Sequence, residues 1–239
     1  MSTDVDSVRI LMHEAQRIAV LTGAGVSAES GVATFRDPDG LWAQFSPLEL
    51  ASMEGFLANP DRVRDWYAYR KSIATRVQPN AGHYALAQLE NLKGGGLTLI
   101  TQNVDRLHQR AGSRNVLEVH GNLLENRCNT CGEIRLDDAQ ECAHCSGIMR
   151  PNVVWFGEDL PVDVFAAAEQ ASQECDLMMV VGTSAEVWPA AGLPYRAKQY
   201  GATIVEINPQ RTVLSAEAHH VLTGTSAHIL PLLVGESHA

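Results

Sequence analysis

The sequence predicts an α/β fold: a parallel sheet covered by helices on both faces, with a small inserted module beside it. Short apolar runs recur along the chain, segments of helical periodicity separate most of them, and two stretches break the alternation. In order, residues 7–17 space Val8, Leu11, Met12 and Ala15 along one helical face. Ile18 to Thr22 is then a continuous apolar run ending at Gly23-Ala24-Gly25, the pattern of a buried parallel strand feeding a tight turn. Runs of the same kind follow at Leu97 to Thr101, Val116 to His120, Leu177 to Val181, Thr203 to Ile207 and, less pronounced, His220 to Leu222. Helices are predicted at about 81–91, 104–111, 162–174, 190–200 and 226–234. A sheet of this class holds its ligand in a crevice at the carboxyl ends of its strands.

Residues 34–75 and 125–150 interrupt the pattern. The first stretch contains one well-marked helix, with Asn59 as its cap, Pro60 at its first position and an end near Thr75. The second holds four cysteines. The two together are expected to form the small module, leaving 1–33, 76–124 and 151–239 to the discontinuous large domain.

Composition narrows the function. The chain has 239 residues, 45% of them hydrophobic, enough for one large domain or two smaller ones. A net charge of -10 without any run of Lys or Arg argues against a non-specific nucleic-acid binder. No apolar stretch reaches the roughly 18 residues of a membrane span, and the acidic, polar start MSTDVDS is unlike a secretory signal. The expectation is a soluble cytoplasmic protein with no nucleic-acid or membrane partner.

Cys128-x-x-Cys131 and Cys142-x-x-Cys145 form two knuckles separated by ten residues. In a reducing compartment this spacing reads as one tetrahedral zinc site, and four thiolates leave no open position, so the ion is expected to be structural. Redox-active thiols and unrelated buried cysteines are the alternatives, and His144 inside the second knuckle is a further possible ligand. Cys175 reads as an inert core residue.

Gly23-Ala24-Gly25-Val26-Ser27-Ala28 fits the G-x-G-x-x-G/A turn, in which glycine lets the backbone approach a pyrophosphate. A hydride-transfer dehydrogenase would also place an acidic residue about twenty positions on, at a strand end. The corresponding Phe35 to Trp42 region reads as a loop, which disfavours that reading. Polar clusters follow other strands: Thr101-Gln102-Asn103-Val104-Asp105, His120-Gly121-Asn122, Gly182-Thr183-Ser184 and Asn208-Pro209. Several such clusters suit a nucleotide crevice, though ordinary loop composition is the alternative for each. His120 is the best general-base candidate, because histidine exchanges its proton near neutral pH. His83, His108, His219, His220 and His228 are read as core or surface residues.

Taken together, Gly23 to Gly31, Phe35-Arg36, Thr101 to Asp105, His120-Gly121, the paired Cys-x-x-Cys and Gly182-Thr183-Ser184 resemble the sirtuin family, in family order over residues 10 to 232. The chain departs from the family at Val32-Ala33, where Ile-Pro is usual, and at Ala185, where a larger aliphatic residue is common. The resemblance implies a Rossmann-like large domain, a small zinc-binding and helical domain, and NAD-dependent removal of acyl groups from protein lysine by a monomer. It assigns cofactor contacts to Gly23, Ala24, Gly25, Ser27, Phe35, Arg36, Gln102, Asn103, Asp105, Gly182, Thr183, Ser184, Asn208 and Ala227, with the loop from Ala33 to Trp42 closing over the cofactor. His120 and Asn103 would be catalytic, and Val154, Phe156, Gly157 and Glu158 resemble a segment that clamps an extended substrate peptide. A protein ADP-ribosyltransferase and a non-catalytic NAD-binding zinc module are the rival readings.

The helix at 60–75 bears on the acyl group. Tyr67 and Arg70 stand at i and i+3, on one face, where a guanidinium and a phenol can together hold a carboxylate. This resembles the class III branch of sirtuins, which removes succinyl and malonyl groups, and Ala51 matches a small residue that widens the acyl pocket there. An ordinary exposed helix is the alternative.

Overall fold

The computed structural model describes residues 2–34 and 46–235. Its strands are β1 (Ile18–Thr22), β2 (Leu97–Thr101), β3 (Val116–Glu118), β4 (Gly121–Cys128), β5 (Ile134–Arg135), β6 (Met149–Val153), β7 (Leu177–Val181), β8 (Thr203–Asn208) and β9 (His220–Thr223). Six of them form the expected parallel sheet, in the order β3-β2-β1-β7-β8-β9. The chain runs from β1 outward to β2 and β3, then returns to the other side of β1 to lay down β7, β8 and β9. The order therefore reverses between β1 and β7, which is where an open α/β sheet forms its crevice.

The continuous apolar runs have a physical reason. Successive side chains of a strand point to opposite faces, and both faces are covered. Ile18 and Val20 join a core with the helices Ser2–Glu14, Ala81–Leu92 and Ser226–Val234. Ala19 and Leu21 join a second core with Val162–Glu174 and Leu193–Gln199. Full burial of one large aliphatic side chain contributes about 1.5–3 kcal/mol, so these two cores supply the main drive for the fold.

Helix ends obey local chemistry. Asn59 caps Pro60–Arg76 by accepting the Arg62 amide, with Pro60 at the first position. Asn80 and His83 form a reciprocal capping box on Ala81–Leu92. Two predicted helices are shorter than expected. The segment at 104–111 is helical only over Leu107–Arg110, because the Asp105 carboxylate accepts the Leu107 amide and starts the helix there. The segment at 190–200 opens as a 3-10 turn, Ala190–Gly192, before Leu193–Gln199.

The unforeseen element is a second sheet. Strands β5, β4 and β6 pair antiparallel, with an irregularity between Asn122 and Asn126 of β4. Short helices Pro47–Leu50 and Met53–Ala58 precede the long one. Phe56, Val63, Trp66 and Tyr67 from these helices pack on Leu123, Val153 and Trp155, giving this region its own apolar cluster. No helix among the described residues is long and apolar enough to cross a membrane.

Candidate active site

The first turn after β1 and the turn after β7 meet at the sheet's reversal point. Gly25 donates its amide to the Gly182 carbonyl at 2.8 Å, and Gly23 donates to Val181 at 3.1 Å. A Cβ on Gly25 would lie 2.8 Å from the Gly182 oxygen, and one on Gly182, whose φ is +60°, would lie 2.5 Å from the Val26 nitrogen. The closeness that glycine permits here is thus between two turns of the protein, which fixes the floor of the crevice. Thr183 and Ser184 continue along the rim. The Thr183 hydroxyl accepts from Gln102 Nε2 at 3.1 Å, and its carbonyl accepts from Asn208 Nδ2 at 3.2 Å. Residues from the ends of β2, β7 and β8 are therefore joined across one opening.

Beneath the rim runs a buried polar network. Ser27 donates to Asp105 Oδ2 at 2.7 Å and accepts from Asn103 Nδ2 at 3.2 Å. His83 Nε2 lies 3.4 Å from the same hydroxyl, while His83 Nδ1 accepts the Asn80 amide. His108 Nε2 lies 3.0 Å from the Thr22 hydroxyl, and its ring stands 4.8 Å from that of His83. Burial lowers the pKa of His83 to about 4 and that of His108 well below the ordinary value, so both rings are neutral. Burial raises the pKa of Asp105, against the opposing hydrogen bonds from Leu107 and Ser27 and the charge of Arg70. The Asn103 amide nitrogen points inward to Ser27, so its oxygen is left for the crevice.

His120 stands where β3 gives way to β4. Its Nδ1 lies 3.2 Å from the Gln102 carbonyl oxygen, which can only accept, so Nδ1 carries the proton and Nε2 keeps its lone pair. Burial lowers its pKa, opposed by that same hydrogen bond. Gly121 follows with φ +83°, and a Cβ there would lie 2.2 Å from the Asn152 carbonyl oxygen, so no other residue fits beside the histidine.

The residues that the resemblance assigns to the acyl group and the peptide come from the turn after β6 and from the helices Pro47–Leu50 and Pro60–Arg76. Val154 donates its amide to the His120 carbonyl, and Phe156 donates its amide to the Ala51 carbonyl, both at 2.9 Å. Ala51 and Tyr67 are buried. Arg70 is half-buried, 4.8 Å from the Trp66 ring and 5.5 Å from that of Tyr67, and its charge is felt at Asp105. The helix at this point is therefore not an ordinary exposed one. Phe156 and Gly157 are exposed. The Glu158 carboxylate is turned inward: Arg150 binds one oxygen, and the Trp155 amide and Arg127 bind the other at 2.9 and 3.4 Å.

Three assigned positions lie apart from this geometry. Phe35 and Arg36 fall outside the described residues, as does most of the loop from Ala33 to Trp42. Ala227 donates its amide to the Glu29 carboxylate at 3.2 Å, beside the start of its helix. Sequence reasoning missed Arg150, fully buried under Trp155 at 4.0 Å, and the His83–Ser27 contact. The Asn80-x-x-His83 spacing was the one available signal for the latter.

Away from the crevice, the four cysteine sulfurs lie within 4.8 Å of one another, with Cys128 to Cys145 at 3.5 Å and Cys131 to Cys142 at 3.8 Å. A tetrahedral zinc with bonds of about 2.3 Å sets its sulfurs about 3.8 Å apart, so the set fits one ion. Amides of Thr130 and Cys131 point at Cys128 Sγ, as thiolate ligands require. His144 is not needed to complete the set. Cys175 is buried, donates to the Ser172 carbonyl, and has its pKa pushed up to about 11 by burial, as befits an inert thiol.

The profile of the Sir2 family matches residues 23–189. An NAD-dependent protein deacylase of Thermus thermophilus is 46% identical over 241 residues, covering 98% of this chain and 95% of the relative. One from Aquifex aeolicus is 48% identical over 205 residues, covering 83% and 85%. Among solved structures, a Sir2 homologue in complex with NAD superposes with a TM-score of 0.89 at 44% identity, covering 96% of this chain and 92% of that one. A Sir2 enzyme bound to a propionylated peptide superposes with a TM-score of 0.82 at 32% identity, covering 95% of each.

Proposed function

The chain belongs to the Sir2 family, and on that premise we propose that it is an NAD-dependent protein-lysine deacylase that removes succinyl and malonyl as well as acetyl groups. The observation that carries the reading is His120, whose Nδ1 proton is tied to the Gln102 carbonyl so that its Nε2 lone pair is available at a crevice built from the ends of five strands, β1, β2, β3, β7 and β8. NAD, when bound, supplies an electrophilic ribose carbon and the ribose hydroxyl that finally carries the acyl group. His120 Nε2 takes the proton of that hydroxyl, at a pKa that burial has lowered so that the ring is neutral near pH 7. Asn103, held by Ser27, offers its oxygen towards the ribose, and Gln102 is held by Thr183 beside it. Asp105, Ala24 and Ser27 line the nicotinamide end, while Gly182, Thr183, Ser184 and Asn208 line the pyrophosphate and adenosine end. Phe35, Arg36 and Ala227 complete the cofactor set. The zinc only organises its module. One water is consumed as the lysine amine is released from the acyl carbon, and the products are nicotinamide, free lysine and O-acyl-ADP-ribose.

The acyl preference rests on Arg70 and Tyr67, with Ala51 beneath and Val154, Phe156, Gly157 and Glu158 along the peptide's edge. We assign residues 34–75 and 125–150 to the small module and the rest to the large domain. The protein acts in the cytoplasm as a monomer on acylated lysines of proteins, with neither nucleic acid nor membrane as partner, a reading supported by its net charge of -10 without a run of Lys or Arg and by a cysteine spacing that suits metal ligation.

Mass spectrometry with NAD and matched acetyl- and succinyl-peptides tests the reading, with one O-acyl-ADP-ribose and one nicotinamide expected per lysine freed. Label from NAD retained on protein would indicate ADP-ribosyl transfer instead. Arg70→Met should lower kcat/KM for the succinyl peptide at least about tenfold more than for the acetyl peptide, as expected for loss of a charged hydrogen-bond pair. An equal loss on both would remove the carboxylate from the reading.

A further inference from the structure

Trp155 has one polar side-chain atom, and it is committed to Tyr67: Nε1 donates to the Tyr67 hydroxyl oxygen at 2.8 Å. An indole nitrogen can only donate, so the direction of this bond is fixed. The Arg70 guanidinium lies 5.5 Å from the Tyr67 ring centroid, and its charge acts on the hydroxyl. A phenol oxygen has two lone pairs and one hydrogen. With the indole N–H donating to the oxygen and a cation beside it, the hydrogen is turned away from both, which leaves the hydroxyl to act as a donor to a third group. Burial raises the Tyr67 pKa, which keeps that hydrogen in place.

The indole is itself held from several sides. Its backbone amide donates to Glu158, the Arg150 guanidinium lies 4.0 Å from its ring, and the Phe56 ring lies 5.3 Å away. Glu158 ties Arg150 and the Trp155 amide together, so the platform is set before any ligand arrives. Without the indole N–H, the Tyr67 hydroxyl could rotate and its hydrogen would no longer have a fixed direction.

We propose that Trp155 is a positioning residue for acyl specificity, which orients the Tyr67 hydroxyl as a donor to the distal carboxylate of succinyl- and malonyl-lysine. The inference rests on the carboxylate reading of Arg70 given above and adds a residue that does not touch the substrate.

The test is a double-substitution cycle read as kcat and KM on succinyl and acetyl peptides, with NAD saturating. Trp155→Phe keeps a ring over Arg150 and removes the N–H. The ratio of succinyl to acetyl kcat/KM should fall about tenfold, carried by the succinyl KM, as for loss of an ordered hydrogen bond to a charged group. In a Tyr67→Phe background the same substitution should leave that ratio within twofold, because Trp155 acts through the hydroxyl. Should Trp155→Phe fold poorly, benzothienylalanine placed at position 155 by amber suppression keeps the indole shape and exchanges only N–H for sulfur, with the same expected fall. Equal losses on both peptides, or a tenfold fall that persists in the Tyr67→Phe background, would overturn the proposal. If Arg70→Met is selective and the change at Trp155 is not, this inference alone fails. If Arg70→Met is unselective, the carboxylate reading fails and this inference with it.

Discussion

The crevice of the parallel sheet and the cysteine knuckles reach order by opposite means. The crevice is organised by burial: strands covered on both faces, two glycine turns in backbone contact, and a polar network in which Ser27 serves Asn103, Asp105 and His83 at once. Around the knuckles, among the described residues, Cys128, Cys142 and Met149 alone form an apolar cluster, too few to hold a fold in water. What the second region lacks in core it must draw from ligation. The first region can therefore devote polar residues to chemistry, whereas the second devotes its thiols to shape.

Metal removal breaks the comparison most sharply. Cys128→Ser should give protein that no longer holds stoichiometric zinc, is cut by protease within 125–150 and has lost deacylation, because β4 carries both Cys128 and, at its start, Gly121 beside His120. Structural zinc sites are worth on the order of 10 kcal/mol, so no other single change should cost as much. Elemental analysis with limited proteolysis reads it.

His120→Ala is the converse case. Turnover should fall about 10²- to 10⁴-fold while zinc content and thermal unfolding stay at wild-type values. In the unaltered enzyme, kcat/KM should decline only as pH falls through a value below histidine's ordinary 6.5, since burial lowers the pKa and the neutral base persists to lower pH.

The buried network gives a smaller effect on stability. Below pH 6.5 the unfolded chain protonates His83, and the folded chain does so only near its lowered pKa of about 4. The His83 contribution should thus be fully present above pH 6.5 and fall by roughly 3 kcal/mol as pH drops to about 4, with the buried His108 adding to the loss in the same direction. Urea unfolding across that range, with His83→Gln flattening the slope, measures it.

The mildest change is Gly25→Ala, which sets a methyl 2.8 Å from the Gly182 oxygen. It should cost about 1–3 kcal/mol and raise the KM for NAD, leaving the zinc in place. An unchanged KM for NAD would show that the contact between the turns is irrelevant to the crevice.

The same contrast explains what the sequence revealed. The strands Ile18–Thr22, Leu97–Thr101 and Leu177–Val181 are legible because burial on both faces demands unbroken apolar runs. The strand Gly121–Cys128, GNLLENRC, carries no such run and an irregularity in its middle, so its pairing with Met149–Val153 leaves no pattern to read. The cysteines were legible because ligand spacing is local. Arg150 was not, since its burial depends on Glu158 and Trp155 arriving from the next turn of chain. Tyr67 and Arg70 could be placed on one face by counting, but the hydrogen bond from Trp155 joins residues far apart in sequence.

The contact between the Gly25 and Gly182 turns also dictates an order of assembly. While the ribosome is still synthesising the middle of the chain, the first turn exists but its opposing wall does not. Strands β1 to β3 can pair early, yet the cofactor has no complete site until β7 docks beside β1. NAD therefore cannot serve as a scaffold for the nascent amino-terminal half, and any stabilisation it gives comes only after the whole sheet has closed.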